Sequence, residues 1–186
     1  MKKERILRVL GMKRVVSFGD LVRESNVSKS YLSEFLKVLR ERGLILMGES
    51  IKVTDLIEFL RFWGEKKRKI LKRINSFLTD TLFINDFLSV LSNKDYVLSG
   101  QFVENLITKQ SSGISLWVYV FDENTYLELM RGFSKKRSGR IKVMFYDDHI
   151  KYGSSFLQGY RIVALEQLAA DLIAEGIFTD IKVLLK

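Results

Sequence analysis

Apolar positions change period several times within the first 54 residues, and each change predicts an element. Ile6, Leu7 and Leu10 share one helical face over residues 3–10, and Gly11 is the expected stop. Val15-Val16-Ser17 reads as a short extended link, with Ser17 placed to cap a second helix containing Leu21 and Val22. Ser25-Asn26 is a turn signal, because Asn tolerates left-handed backbone. Ser28 then caps a helix from Lys29 to Arg42, whose stripe of Leu32, Phe35, Leu36 and Leu39 predicts one buried face. Gly43 ends it. Leu44–Met47 and Ile51–Val53 flank the loop Gly48-Glu49-Ser50 and read as a hairpin.

Beyond Thr54-Asp55, a capping start, positions 56, 60, 63, 67, 70, 74 and 77 alternate by four and three, the spacing of a heptad helix. Lys67 interrupts that stripe, and Gly64 costs about 1 kcal/mol of helix stability relative to Ala. Two readings stay open for residues 55–80: a connector packed on its own domains, or a pairing helix of a homodimer.

Later segments alternate helical and extended patterns. Residues 81–92 read as a helix, 95–100 as a strand entering a Ser-Gly turn, and 102–106 as a helix. Ser115–Phe121 is nearly all apolar, as in a strand covered on both faces. A helix over 122–132, a basic loop at 135–139, a strand at 141–146 and a turn at Asp147-Asp148-His149 follow. An extended piece at 160–163, a helix over 164–174 ending at Gly176, and a last helical or extended segment complete the chain. The expected fold class is α+β. Its expected domains are residues 1–54, a helical connector at 55–80, and a mixed α/β domain at 81–186.

Charge sharpens this division. Residues 1–80 carry 19 Lys+Arg against 10 Asp+Glu, whereas residues 81–186 carry 12 of each. The excess of positive charge lies wholly in the first part, which points to a polyanion partner. Composition excludes other classes. There is no Cys for disulfides or thiolate metal sites, and no stretch nears the roughly 18 apolar residues of a membrane span. The densely charged start does not read as a signal peptide, so a cytoplasmic protein without membrane contact is expected.

The order helix–helix–turn–helix–hairpin is that of a winged helix-turn-helix. The run NVSKSYLSEFLKVLRERGLI (26–45) resembles the recognition-helix region of many prokaryotic winged-helix regulators. If that helix enters the major groove of double-stranded DNA, Lys29, Ser30, Tyr31, Ser33 and Lys37 are the candidate readers. Lys29 and Lys37 suit phosphate or guanine, Ser30 and Ser33 are small donors, and Tyr31 suits phosphate or a thymine methyl. Glu34 repels phosphate, and is expected either to accept from cytosine or to pair with Lys37. Lys13 and Arg14 are candidate backbone contacts, while the short acidic hairpin loop is expected to add little.

Further on, YVLSGQFVENLI (96–107), WVYVF (117–121) and GYRIVALEQLAADLIAEG (159–176) resemble the C-terminal domain of the abortive-infection type IV antitoxin family, AbiEi. The resemblance implies a DNA-binding autorepressor, with a nucleotidyltransferase-like C-terminal domain and in some cases a toxin protein as partner. Active nucleotidyltransferases place paired carboxylates on a strand to hold Mg²⁺. The corresponding strand here, Leu116–Val120, has none, and Asp122 and Glu123 follow it as adjacent residues that would diverge if extended. The expectation is therefore a protein that is not an enzyme and takes no cofactor or metal. His149 is the only histidine, which excludes a His-pair site, and Asp147-Asp148-His149 reads as a turn. Two rivals remain: an active nucleotidyltransferase, and a protein–protein adaptor using the winged helix as scaffold.

Overall fold

Local capping explains the first elements. In the structure, a computed structural model that describes residues 1–81, 83–109, 115–133, 136–177 and 180–185, helix α1 spans Lys2–Lys13. It runs through Gly11 instead of stopping there, because Trp63 and Phe59 pack against that glycine. Strand β1 is Val15–Val16. Ser17 Oγ accepts from the Asp20 amide to start α2, Phe18–Ser25, and Asn26 ends it in the left-handed region at φ 50°. Ser28 Oγ accepts from the Tyr31 amide to start α3, Lys29–Glu41. Gly43 turns the chain at φ 69° into β2, Ile45–Met47, and β3, Ile51–Val53. The three strands form an antiparallel sheet in the order β1-β3-β2.

Helix α4, Leu56–Leu71, is capped by Asp55, whose Oδ1 accepts from the Ile57 and Glu58 amides. It stops short of the expected heptad register. Ser76–Thr79 forms strand β4 instead, paired antiparallel with Ile141–Phe145 from Ser76↔Met144 to Thr79↔Ile141. Ile74 and Phe77 therefore do not extend the helix as the 55–80 connector required. The residues that follow are α5 (Ile84–Val90), β5 (Tyr96–Ser99), α6 (Gln101–Thr108), β6 (Leu116–Val120), α7 (Glu123–Gly132) and β7 (Ile141–Phe145). A 3-10 turn at Asp148–Lys151 leads to the hairpin β8 (Ser155–Leu157) and β9 (Tyr160–Ile162). The sequence pattern marked only the second of these two strands. Helices α8 (Leu165–Glu175) and α9 (Ile181–Leu184) end the described chain.

Among the described residues the fold is mixed α+β, with 53% helix, 19% strand, nine α-helices and two sheets. The second sheet has six strands in the order β4-β7-β6-β5-β9-β8. Its centre, β6, is buried at every position, as its unbroken apolar run requires. The first residue of the expected basic loop at 135–139 lies outside the described residues; Lys136 bridges to Leu78.

The chain divides into two compact units, residues 1–70 with 164–186, and residues 71–163. The expected division at 54 and 80 differs from these units in one respect above all: α8 and α9 belong to the unit of the N-terminal elements, not to that of the six-stranded sheet. Burial explains why. Leu168, Ala169 and Leu172 of α8 are fully buried, as are Ile6, Leu10, Leu21, Leu32, Leu36, Phe59, Leu60 and Trp63 of the same unit. At the end of α8, Arg68 donates to the Ala174 and Ile173 carbonyls at 3.0 and 2.8 Å, satisfying groups the helix leaves open.

A charged network lies inside this unit. Lys67 Nζ reaches Glu4 Oε1 at 2.9 Å and Asp171 Oδ1 at 2.7 Å, and all three side chains are at most 1% exposed. Arg8 Nε donates to Gln167 Oε1 at 2.8 Å, and Gln167 Nε2 to Asp171 Oδ1 at 2.7 Å. Two cations and two carboxylates from α1, α4 and α8 thus neutralise one another without solvent. The lysine that breaks the apolar stripe of α4 is the hub that ties α8 to α1 and α4.

Candidate nucleic-acid interface

Helix α3 buries Leu32, Phe35, Leu36 and Leu39 and turns its opposite side outward. At about 100° per residue, Lys29, Ser33, Lys37 and Arg40 fall along one flank of that outer side, with Ser30 beside them. Lys29, Ser30, Lys37 and Arg40 are exposed and Ser33 is half-buried. Lys29, Lys37 and Arg40 make no ion pair among the described residues. Ser30 Oγ lies 3.4 Å from Ser28 Oγ. Three exposed cations, with Ser30 and Ser33 beside them, thus face outward on a helix whose register is locked by its buried face.

Arg40 was not among the sequence candidates. Its signal is legible in hindsight: it sits three residues after Lys37, on the same flank, in the last turn of the helix. Tyr31 belongs elsewhere. It lies roughly 160° round the helix from Ser33, half-buried, with Lys2 Nζ of α1 at 5.5 Å from its ring centroid. Burial raises its hydroxyl pKa, and the charge of Glu34 adds to that. Tyr31 is therefore not brought together with Lys29, Ser33 and Lys37. Glu34 and Glu41 are exposed on the outer side and make no ion pair with Lys37.

Lys13 and Arg14 are exposed but already engaged. Lys13 Nζ lies 2.6 Å from Glu24 Oε1, tying α1 to α2. Arg14 adopts φ 62° at the end of α1, and its guanidinium lies 4.0 Å from Glu166 Oε1 at the start of α8. Such surface pairs are worth about 0–1 kcal/mol, which a phosphate would have to replace. Among the described residues Lys13 and Arg14 are thus less available than Lys29, Lys37 and Arg40.

Glu166 carries a consequence for stability. Burial raises its pKa above the ordinary value of 4.5, with Arg14 partly opposing. The folded state then holds more protons than the unfolded state just above that value, so stability falls as pH rises through the window. Glu166→Gln is expected to flatten that decline in urea midpoints measured across mildly acidic pH. An unchanged slope would place the dependence elsewhere.

In the small sheet, Lys52 pairs across to Val15 and Leu46, and the row faces outward with Val15 50% and Leu46 62% exposed. Lys52 adds a further cation without an ion pair among the described residues.

In the other unit, the central strand Leu116–Val120 carries no carboxylate. Ser99 is buried, and Gly100 turns at φ 87° where a Cβ would also stand 2.8 Å from the Ser115 carbonyl oxygen. Asp122 caps α7, its Oδ1 accepting from the Thr125 amide at 2.7 Å; that bond holds its pKa down. Asp147 Oδ1 accepts from the His149 amide at 3.0 Å. Among the described residues no group of three or more His, Cys, Asp or Glu is placed to hold a metal ion, and no helix is long and apolar enough to cross a membrane. Compared with protein-family models, with curated proteins and with solved structures, the chain finds no match.

Proposed function

We propose that this chain is a double-stranded DNA-binding regulator whose residues 1–54 form a winged helix-turn-helix, with α3 entering the major groove. The observation that carries this reading is the outer flank of α3, where Lys29, Lys37 and Arg40 stand exposed and unpaired beside Ser30 and Ser33. The order α1-β1-α2-α3-β2-β3 and the left-handed Asn26 between α2 and α3 support it. The charge excess of the first 80 residues supports it too. Phosphates would be met by Lys29, Lys37 and Arg40, base edges by Ser30 and Ser33, and cytosine N4 by Glu34.

The resemblance to AbiEi antitoxins extends the proposal to a cytoplasmic autorepressor of its own operon, with a toxin protein as partner in some cases. Residues 71–163 would then bind a partner or effector without catalysing a reaction. The diversion of Asp122 into a helix cap and the lack of carboxylates on β6 favour this over an active nucleotidyltransferase.

Anisotropy titrations of the full chain against a duplex at several salt concentrations test the proposal. Lys29→Ala with Lys37→Ala is expected to weaken binding and to flatten the slope of log affinity against log salt by roughly one to two. Duplex binding with a slope untouched by that pair would remove α3 from the phosphates. No binding to any duplex at low salt would leave the adaptor as the better reading.

A further inference from the structure

In sequence, Glu65-Lys66-Lys67-Arg68-Lys69 is one charged run, but the fold divides it. Lys67 is the hub of the buried network and Arg68 closes the end of α8. Lys66 and Lys69, one turn apart on α4, are left on another side. There they join Lys3 of α1 and Arg42, the residue that follows α3.

These four cations are crowded. Burial, then the charges of Lys69, Arg42 and Lys3, lower the pKa of Lys66, and only Glu65 opposes them. Aromatic rings hold the group in place: Arg42 lies 5.3 Å and Lys66 5.1 Å from the centroid of Phe62, and Lys3 lies 5.5 Å from that of Phe35. None of the four forms an ion pair among the described residues. Gathering like charges on three helices with one weakly opposing carboxylate costs free energy in the isolated protein. An external polyanion reverses the sign of that cost.

We propose that Lys3, Arg42, Lys66 and Lys69 form a second phosphate-binding surface, gripping the backbone of the same duplex whose major groove α3 enters. This rests on the DNA-binding reading. The cluster borders α3 on the flank away from Lys29 and Lys37: Lys3 stacks on Phe35, Lys2 stacks on Tyr31, and Arg42 ends the helix. A duplex backbone lies on both sides of the groove that a recognition helix fills, so cations on both flanks of one helix match it. Lys67, buried in the network, and Arg68, bonded to the carbonyls at the end of α8, take no part.

The chain has no cysteine, so single thiols can carry a tethered iron chelate that cuts nearby nucleic-acid backbone. Lys37→Cys and Lys69→Cys proteins, labelled and bound to a mixed-sequence duplex of about 30 base pairs at low salt, are both expected to cut it. Cutting from position 37 but not from 69 would overturn the inference and leave the DNA reading intact. Cutting from neither would fail both. In parallel, Lys66→Gln/Lys69→Gln is expected to flatten the salt slope by roughly two and to weaken duplex binding roughly 10- to 60-fold near 0.1 M salt. A slope unchanged in this pair, but flattened in Lys29→Ala/Lys37→Ala, would likewise overturn it. So would loss of binding to phosphatidylserine vesicles in the glutamine pair with duplex affinity unaltered, which would assign the surface to a membrane.

Discussion

Lys67→Ala is expected to destabilise the unit containing residues 1–70 by about 3–5 kcal/mol, the cost of breaking a buried pair from one side. Lys67 neutralises Glu4 and Asp171 at 2.9 and 2.7 Å where no water reaches. Without it, two carboxylates remain buried, with Arg8 Nη2 3.4 Å from Glu4 Oε1. They must then protonate, open the helices to water, or drive α8 off α1 and α4. A double change to Lys67→Met and Asp171→Asn is expected to recover much of the loss, because Glu4 then stays paired with Arg8 and no uncompensated charge is left.

The measurement has a convenient probe in the two tryptophans. Trp63 lies in this unit and Trp117 in the other, so urea melts followed by fluorescence in Trp117→Phe and Trp63→Phe backgrounds report the units separately. The loss is expected in the Trp63 signal. A loss below about 1 kcal/mol would mean that the network contributes no more than surface pairs do.

The second large effect is expected at Gly64. By helix propensity alone, Gly64→Ala on α4 should stabilise by about 1 kcal/mol. The fold reverses that sign. A Cβ there would stand 2.5 Å from Ile173 Cγ2, 2.6 Å from Ile173 Cβ and 3.0 Å from the Ala170 carbonyl oxygen, none of which is the far end of a flexible side chain. The net expectation is a destabilisation of about 1–3 kcal/mol, read in the same Trp63 melts. Gly64→Ala combined with Ile173→Ala should recover part of it, and stabilisation by Gly64→Ala alone would show that α4 and α8 do not approach so closely.

These two residues also mark where sequence reasoning stops. Lys67 looks like a blemish in an apolar heptad and Gly64 like a weak point of the same helix, yet one is the hub of a buried network and the other leaves room for Ile173 and Ala170 of α8. Their partners, Asp171 and Ile173, are about a hundred positions away, and no local pattern links them. The same holds for Phe77. Its spacing continues the helix, but pairing with Val143 across β4 and β7 makes it a strand residue. Ser76-Phe77-Leu78-Thr79 fits either period, so long-range pairing decided between them. In the candidate interface, Lys29, Ser30, Ser33 and Lys37 were legible because a single buried stripe defines the outer face of α3. The half-burial of Tyr31 is not legible in the same way, because it depends on Lys2 of α1 lying over its ring.

By itself, the sequence determined whatever short-range physics specifies. Ser17 and Ser28 start helices, Asn26 and Gly43 take left-handed turns, and the unbroken apolar run makes β6 a central strand. Each of these needs only neighbours within a few residues. The tertiary structure alone decided which cations of a uniformly basic segment face inward, which close a helix end and which stay outside. It also decided that α8 belongs with the N-terminal elements. Helical period assigns residues to a common face, but what that face meets depends on segments brought together only when the chain folds.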